Sequence, residues 1–130
     1  MEQPDEKQIE KTEKDIKKEA AKLRKVLAEV PPEKMKAAEG LINRAAYMLV
    51  TLVQYEADLI HNGHTEMFTQ SEKTDPYERE RPVARLYNSL IRNYQACMKS
   101  LFDLMPDKAA AGDGDEDPVY NKFFTNGRKK

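Results

Sequence analysis

The chain has 130 residues, 39% of them hydrophobic and 35% charged, with a formal net charge of −1. That length suits one domain with a modest core, and a near-neutral total leaves room for a basic or an acidic face. A single cysteine excludes an internal disulfide or a cysteine metal site, and no run approaches the ~18 apolar residues of a membrane span. No apolar segment follows the first charges, so the expectation is a soluble, cytoplasmic protein without a signal peptide. Low glycine and helix-period patterning predict an all-α fold.

Residues 1–30 read as a charged amino-terminal unit, helical over about 6–29. Ile9, Ile16, Ala20, Leu23, Leu27 and Val30 recur at steps of seven, four, three, four and three, a coiled-coil-like seam. Its first turns lack an apolar anchor and are expected to fray. Lys7, Lys11, Lys14, Lys18, Lys22 and Lys25 form a second stripe opposite the seam. Such a stripe suits phosphate contact, so Lys7, Lys11, Lys14, Lys18 and Lys25 are candidate DNA ligands. The plainer reading is a solvated face, because acids and bases are equal in number over residues 1–32. Pairs such as Glu10–Lys14 and Glu13–Lys17 would support it.

Residues 31–106 read as a helical-hairpin oligomerisation unit. The tandem Pro31-Pro32 ends the first helix, and Pro32-Glu33 suits an opening turn. A second helix follows over about 32–62, with Asn62-Gly63 as a left-handed cap. Leu41, Ile42, Tyr47, Met48, Leu49, Val50, Leu52, Val53 and Tyr55 make it apolar on almost every face. A helix greasy all round has to be covered all round. Two neighbouring helices cannot do that alone, so these nine residues are expected at a self-association interface. Residues 62–81 form a long loop, with a helical turn expected at Asp75-Pro76-Tyr77-Glu78 and with Phe68 and Tyr77 pinning it to the hairpin ends.

A third helix is predicted over about 82–105, antiparallel to the second. Val83, Tyr87, Leu90, Tyr94, Cys97, Leu101 and Leu104 alternate steps of four and three, and Leu86, Ile91, Met98, Phe102 and Met105 broaden the stripe. Arg85, Arg92 and Lys99 repeat every seven residues as a second basic ridge, with Arg79 and Arg81 just before it. That ridge suits DNA phosphates or, alternatively, an intersubunit ion-pair face. Residues 107–130 are an acidic, Ala/Gly-rich stretch ending in Tyr120, Phe123 and Phe124. Such a tail is either a partner-docking peptide or a cover for the second helix.

Catalytic chemistry is scarce. Asp113, Asp115 and Asp117 open like a calcium loop, but Pro118 and Phe124 occupy its diagnostic positions. His61 and His64 straddle Gly63, which breaks the helical spacing a zinc pair needs. Cys97 lies on the apolar stripe without a basic neighbour. No cofactor, metal or enzymatic activity is expected.

The segment from Asn62 to Pro106 resembles terminase small subunits of tailed phages and prophages. The matching features are Asn62-Gly63, Phe68-Thr69-Gln70-Ser71, Arg81-Pro82, Leu86-Tyr87-Asn88, Tyr94 and Leu101-Phe102-Asp103-Leu104-Met105-Pro106. With the Val30-Pro31-Pro32-Glu33 turn and the second helix, the resemblance covers about residues 20–106. It implies a non-enzymatic DNA-packaging component that forms a homo-oligomeric ring, binds double-stranded DNA, and recruits and regulates the large terminase subunit. The tail resembles the segments by which small subunits contact the large one. No amino-terminal helix-turn-helix accompanies these features. The reading from another class is a structural adaptor coiled coil that joins partner proteins without DNA.

Overall fold

The computed structural model describes residues 3–106. Among these, three helices follow in order: α1 (Glu6–Val26), α2 (Met35–Asn62) and α3 (Pro82–Asp103). A 3-10 turn, Pro32–Lys34, leads into α2. Strands β1 (Thr65–Phe68) and β2 (Tyr77–Glu80) form an antiparallel pair between α2 and α3. The chain is mainly helical, as its periodicity predicts. The tail residues Tyr120, Phe123 and Phe124 and the aspartates at 113, 115 and 117 lie outside the described residues.

Helix α1 opens on a reciprocal cap. The Asp5 carboxylate accepts the Gln8 backbone N–H at 2.8 Å, and the Gln8 side chain accepts the Asp5 N–H at 3.1 Å. Two otherwise orphaned donors are thus satisfied in a turn expected to fray. The helix stops at Val26 rather than 29, ahead of the prolines, yet Leu27 and Val30 still turn into the core. Helix α3 likewise stops at Asp103, two residues early, with Leu104 and Met105 packed against the same core.

The core is concentrated at one end. Ala20, Leu23 and Leu27 from the α1 end of the bundle meet Ala38, Ile42, Ala45 and Ala46 of α2 and Met98 and Leu101 of α3. A smaller cluster of Leu59, Val83 and Ala84, flanked by Tyr55 and Tyr87, joins α2 to α3 at the other end. No residue of α1 belongs to that second cluster. The three helices therefore enclose one another at the α3 carboxyl end, while the amino-terminal half of α1 covers α2 poorly.

The region read as a loop over 62–81 holds the strand pair instead. Gly63 sits at φ 83°, ψ 176°, a region open essentially to glycine. Its ψ sends the chain outward into β1 rather than round a left-handed cap. The turn expected at Asp75–Glu78 is replaced by extended backbone, with Thr65 opposite Glu80 and Phe68 opposite Tyr77. Glu66 and Arg79 lie opposite each other and form an ion pair at 2.7 Å. The Arg79 guanidinium also lies 3.5 Å over the Phe68 ring, whose edge-on partner is Tyr77 at 5.9 Å. These cross-strand contacts outweigh the local capping tendency. Phe68 and Tyr77 consequently pin strand to strand, not strand to helix.

Three of the nine predicted interface residues are buried by their own chain: Ile42, Val50 and Leu52. Ile42 is walled in where all three helices meet, and Val50 and Leu52 are buried on α2 outside that cluster. Leu41, Met48, Leu49 and Tyr55 are half-buried, while Tyr47 and Val53 each remain 55% exposed. Ile60, one turn-pair beyond Val53 on the same helix stripe, is 80% exposed.

Candidate functional site

An open groove of about 960 Å³ runs between the amino-terminal half of α1 and the carboxyl-terminal half of α2. Its apolar lining comes from Ile9 on one side and Tyr47, Leu49, Val53 and Tyr55 on the other, with a rim of mixed charge: Lys11, Lys18 and Lys22 beside Glu13, Asp15, Glu19 and Asp58. A hydrogen bond from Gln54 Nε2 to Thr12 Oγ1, 3.0 Å, bridges the two helices here. The other end of α1 is fastened more firmly. Arg24 grips Glu39 at 2.9 Å and reaches Asn43, and that carboxyl is held below its ordinary range by the guanidinium. The groove exists because α1 is anchored at one end and merely leans at the other.

The basic candidates are all exposed but are not one surface. Lys7, Lys11, Lys14, Lys18 and Lys25 project from α1, and Arg85, Arg92 and Lys99 from α3. Lys11 pairs with Asp15 at 3.0 Å, Lys99 with Asp103 at 3.2 Å, and Arg85 with Glu80 at 3.6 Å. The helical pairs formed are Lys11–Asp15 and Glu19–Lys22 rather than those starting from Glu10 and Glu13. Among the described residues, Lys7, Lys14, Lys18, Lys25 and Arg92 keep their charges unpaired. Arg79 and Arg81, adjacent to the ridge in sequence, are turned inward onto Glu66 and Asp58.

Arg81 builds a junction that pattern reading misses. Its Nη2 donates to both Asp58 oxygens at 3.0 and 3.1 Å, and Nη1 donates to the Gly63 carbonyl at 2.8 Å. The Asn62 side-chain amide donates to the same carboxylate. Those donors, Asn62 first and then Arg81, hold the Asp58 carboxyl below the usual carboxylate range. One guanidinium thereby ties the end of α2 to the start of α3 and sets the base of the strand pair. Arg81 lies 23 residues from Asp58 and 18 from Gly63, so no spacing rule would have brought it to them.

No arrangement for acid–base or nucleophilic chemistry emerges at the positions weighed for it. Burial pushes the Cys97 thiol up, and its Sγ–H donates to the Leu41 carbonyl at 3.4 Å. Tyr94 is pushed up to about 12 by burial, with the Glu19 carboxylate adding to the effect. His61 Nδ1 lies 2.9 Å from the Ala57 carbonyl, within its own helix. Among the described residues no three His, Cys, Asp or Glu side chains gather as a metal site, and no helix is long and apolar enough to cross a membrane. The described surface offers an apolar groove with a rim of mixed charge, two basic ridges and a pair of strands held at its base. Comparison with protein-family models, curated proteins and solved structures finds no match to this chain.

Proposed function

We propose that the chain is a DNA-packaging component of the terminase small-subunit kind, non-enzymatic and acting in the host cytoplasm. In this reading α2 and α3 associate through coiled-coil-like packing with further copies to form a ring. The ring binds double-stranded DNA through Lys7, Lys14, Lys18, Lys25 and Arg92, with Lys11, Arg85 and Lys99 in support. Residues 107–130, with Tyr120, Phe123 and Phe124, dock on the large terminase subunit. The observation that carries the reading is the apolar surface of α2 that its own chain leaves open, above all Tyr47, Val53 and Ile60. A ring makes a weak ridge consequential, because each copy adds its phosphate contacts to the same DNA.

The test is oligomeric mass together with a mobility-shift titration across salt. A multi-subunit mass is expected, with DNA affinity falling on the order of tenfold or more between 50 and 200 mM salt. Arg92→Glu with Lys14→Glu and Lys18→Glu should weaken that binding further. A clean monomer at micromolar concentration would sink the proposal. The second reading, an adaptor coiled coil, draws support from Lys11, Arg85 and Lys99, whose charges are already met by acids on the same chain. Assembly without salt-sensitive DNA binding would favour it.

A further inference from the structure

Asn62 and Gly63 form the joint between α2 and the arm made by β1 and β2. An asparagine followed by glycine is open to self-modification, because no Cβ on the second residue obstructs its backbone nitrogen. In that reaction the Gly63 nitrogen attacks Asn62 Cγ. The new nitrogen–Cγ bond forms, the Cγ–Nδ2 bond breaks, and the side-chain nitrogen leaves as ammonia, taking the peptide hydrogen by way of solvent. Water then opens the cyclic imide. Opening at Cγ gives aspartate; opening at the main-chain carbonyl gives isoaspartate, in which the chain runs through Cβ and is longer by a carbon.

Nothing crowds this joint. Asn62 is exposed, and no atom lies within 4 Å of a Cβ built on Gly63. Hydrogen bonds are what restrain it. The Gly63 N–H donates to the Leu59 carbonyl at 2.9 Å, so the attacking nitrogen is already engaged along α2. The Asn62 amide donates to Asp58 Oδ1, one turn earlier, which holds the leaving group back along the helix. Arg81 secures both sides. It grips the same carboxylate at 3.0 and 3.1 Å and the Gly63 carbonyl at 2.8 Å. The Arg81 and Asp58 side chains are only 17% and 22% exposed, so water competes little for these bonds.

We propose that Asn62–Gly63 is a self-modification site held unreacted by the Arg81–Asp58 junction, and that its conversion frees the arm. Attack at Cγ requires the joint to open locally, which the junction opposes. Either product replaces the amide donor with a carboxylate beside Asp58, leaving two anions to one guanidinium. The isoaspartate form also lengthens the link from α2 to β1. The change runs one way, since ammonia is lost to solvent. It depends neither on self-association nor on DNA.

The experiment incubates the full-length chain in mildly alkaline buffer and follows conversion by peptide mass spectrometry. Asn126–Gly127, outside the described residues, is the second such pair in the sequence and serves as internal reference. Wild-type Asn62 should convert at least about tenfold more slowly than in the same chain unfolded in urea. Arg81→Gln should speed Asn62 on the order of tenfold, because hydrogen bonds to a charged group are lost, and leave Asn126 unchanged. Arg79→Gln, which removes the arm's ion pair with Glu66 but not the junction, should change neither rate. Circular dichroism verifies that each variant stays helical; should Arg81→Gln unfold, Asp58→Ser takes its place by removing the acceptor. Asn62→Asp, one product, should speed amide exchange at Gly63 and Arg81, whose N–H groups bond Leu59 and His64 at the base of the arm. Asn62 converting as fast folded as unfolded would overturn the proposal, as would a folded junction variant no faster than wild type. Equal acceleration at Asn62 and Asn126, acceleration by Arg79→Gln, or unchanged exchange in Asn62→Asp would do the same.

Discussion

Asp58 is where one side chain decides the direction of a whole segment. Its carboxylate gathers Asn62 from its own helix and Arg81 from the start of α3, and Arg81 passes the restraint on to the Gly63 carbonyl. A carboxyl held low in the folded state adds stability above its unfolded value near ~3.9, and that contribution fades as pH falls through the folded value. Asp58→Asn should therefore lower the urea midpoint at pH 7, where wild type carries the charge. As pH falls below about 4 the difference should shrink, and it should vanish once Asp58 is protonated in the folded state as well. A midpoint difference unchanged between pH 7 and pH 3 would show that the junction acts by shape alone. Gly63 is the other decisive residue here. Its φ of 83° with nothing near a built Cβ means that a substitution there fails through backbone strain, not crowding.

At the scale of elements, α1 is two different helices joined end to end. Its later half contributes Ala20 and Leu23 to the core, and Leu27 follows just past its end with no exposed surface; its earlier half relies on the Asp5–Gln8 cap and the Thr12–Gln54 bridge. Leu27→Ala should cost about 2–5 kcal/mol in urea unfolding, as a cavity among three helices cannot close. Ile9→Ala, at a position 45% exposed, should stay within about 0.5 kcal/mol. Equal costs would mean that the amino-terminal half packs as tightly as the rest. This gradient was half legible in the sequence. The seam from Ile16 to Val30 and the stripe from Val83 to Leu104 both point inward as read, because heptad steps report which face a helix hides, whereas Ile9 stays exposed. The seam could not say where cover ends, since that depends on how α1 leans across α2. The strands stayed invisible for a different reason: Thr65–Phe68 and Tyr77–Glu80 alternate charge pairs and aromatics, not buried and exposed apolar residues. Their register depends on Glu66 meeting Arg79 and on Arg81 meeting Asp58, contacts between distant positions. The apolar window of α2 was likewise read too broadly. Helical periodicity identifies a side chain as greasy, but only the fold shows that Ile42 and Leu52 are covered by their own chain while Val53 and Ile60 are not.

The whole molecule is a bundle closed at one end, around Leu27, Ile42, Met98 and Leu101, and more open at the other. Val53, Ile60 and the strand pair lie toward the more open end, whereas Tyr47 directly follows Ala46 of the closed-end core. Amide hydrogen exchange should separate the two ends, since protection follows buried apolar contact and local hydrogen bonding. In dilute solution, amides near 20–27, 38–46 and 94–101 should exchange slowly, and those of the arm and of residues 6–14 quickly. At concentrations where copies associate, protection should rise selectively over residues 47–60, and barely change at the closed end, where the core is already complete. A rise confined to the exposed side of α3 would instead place the contact on the Arg85–Arg92–Lys99 ridge. The same result would remove that ridge from DNA binding, because a surface buried between subunits cannot also track phosphates.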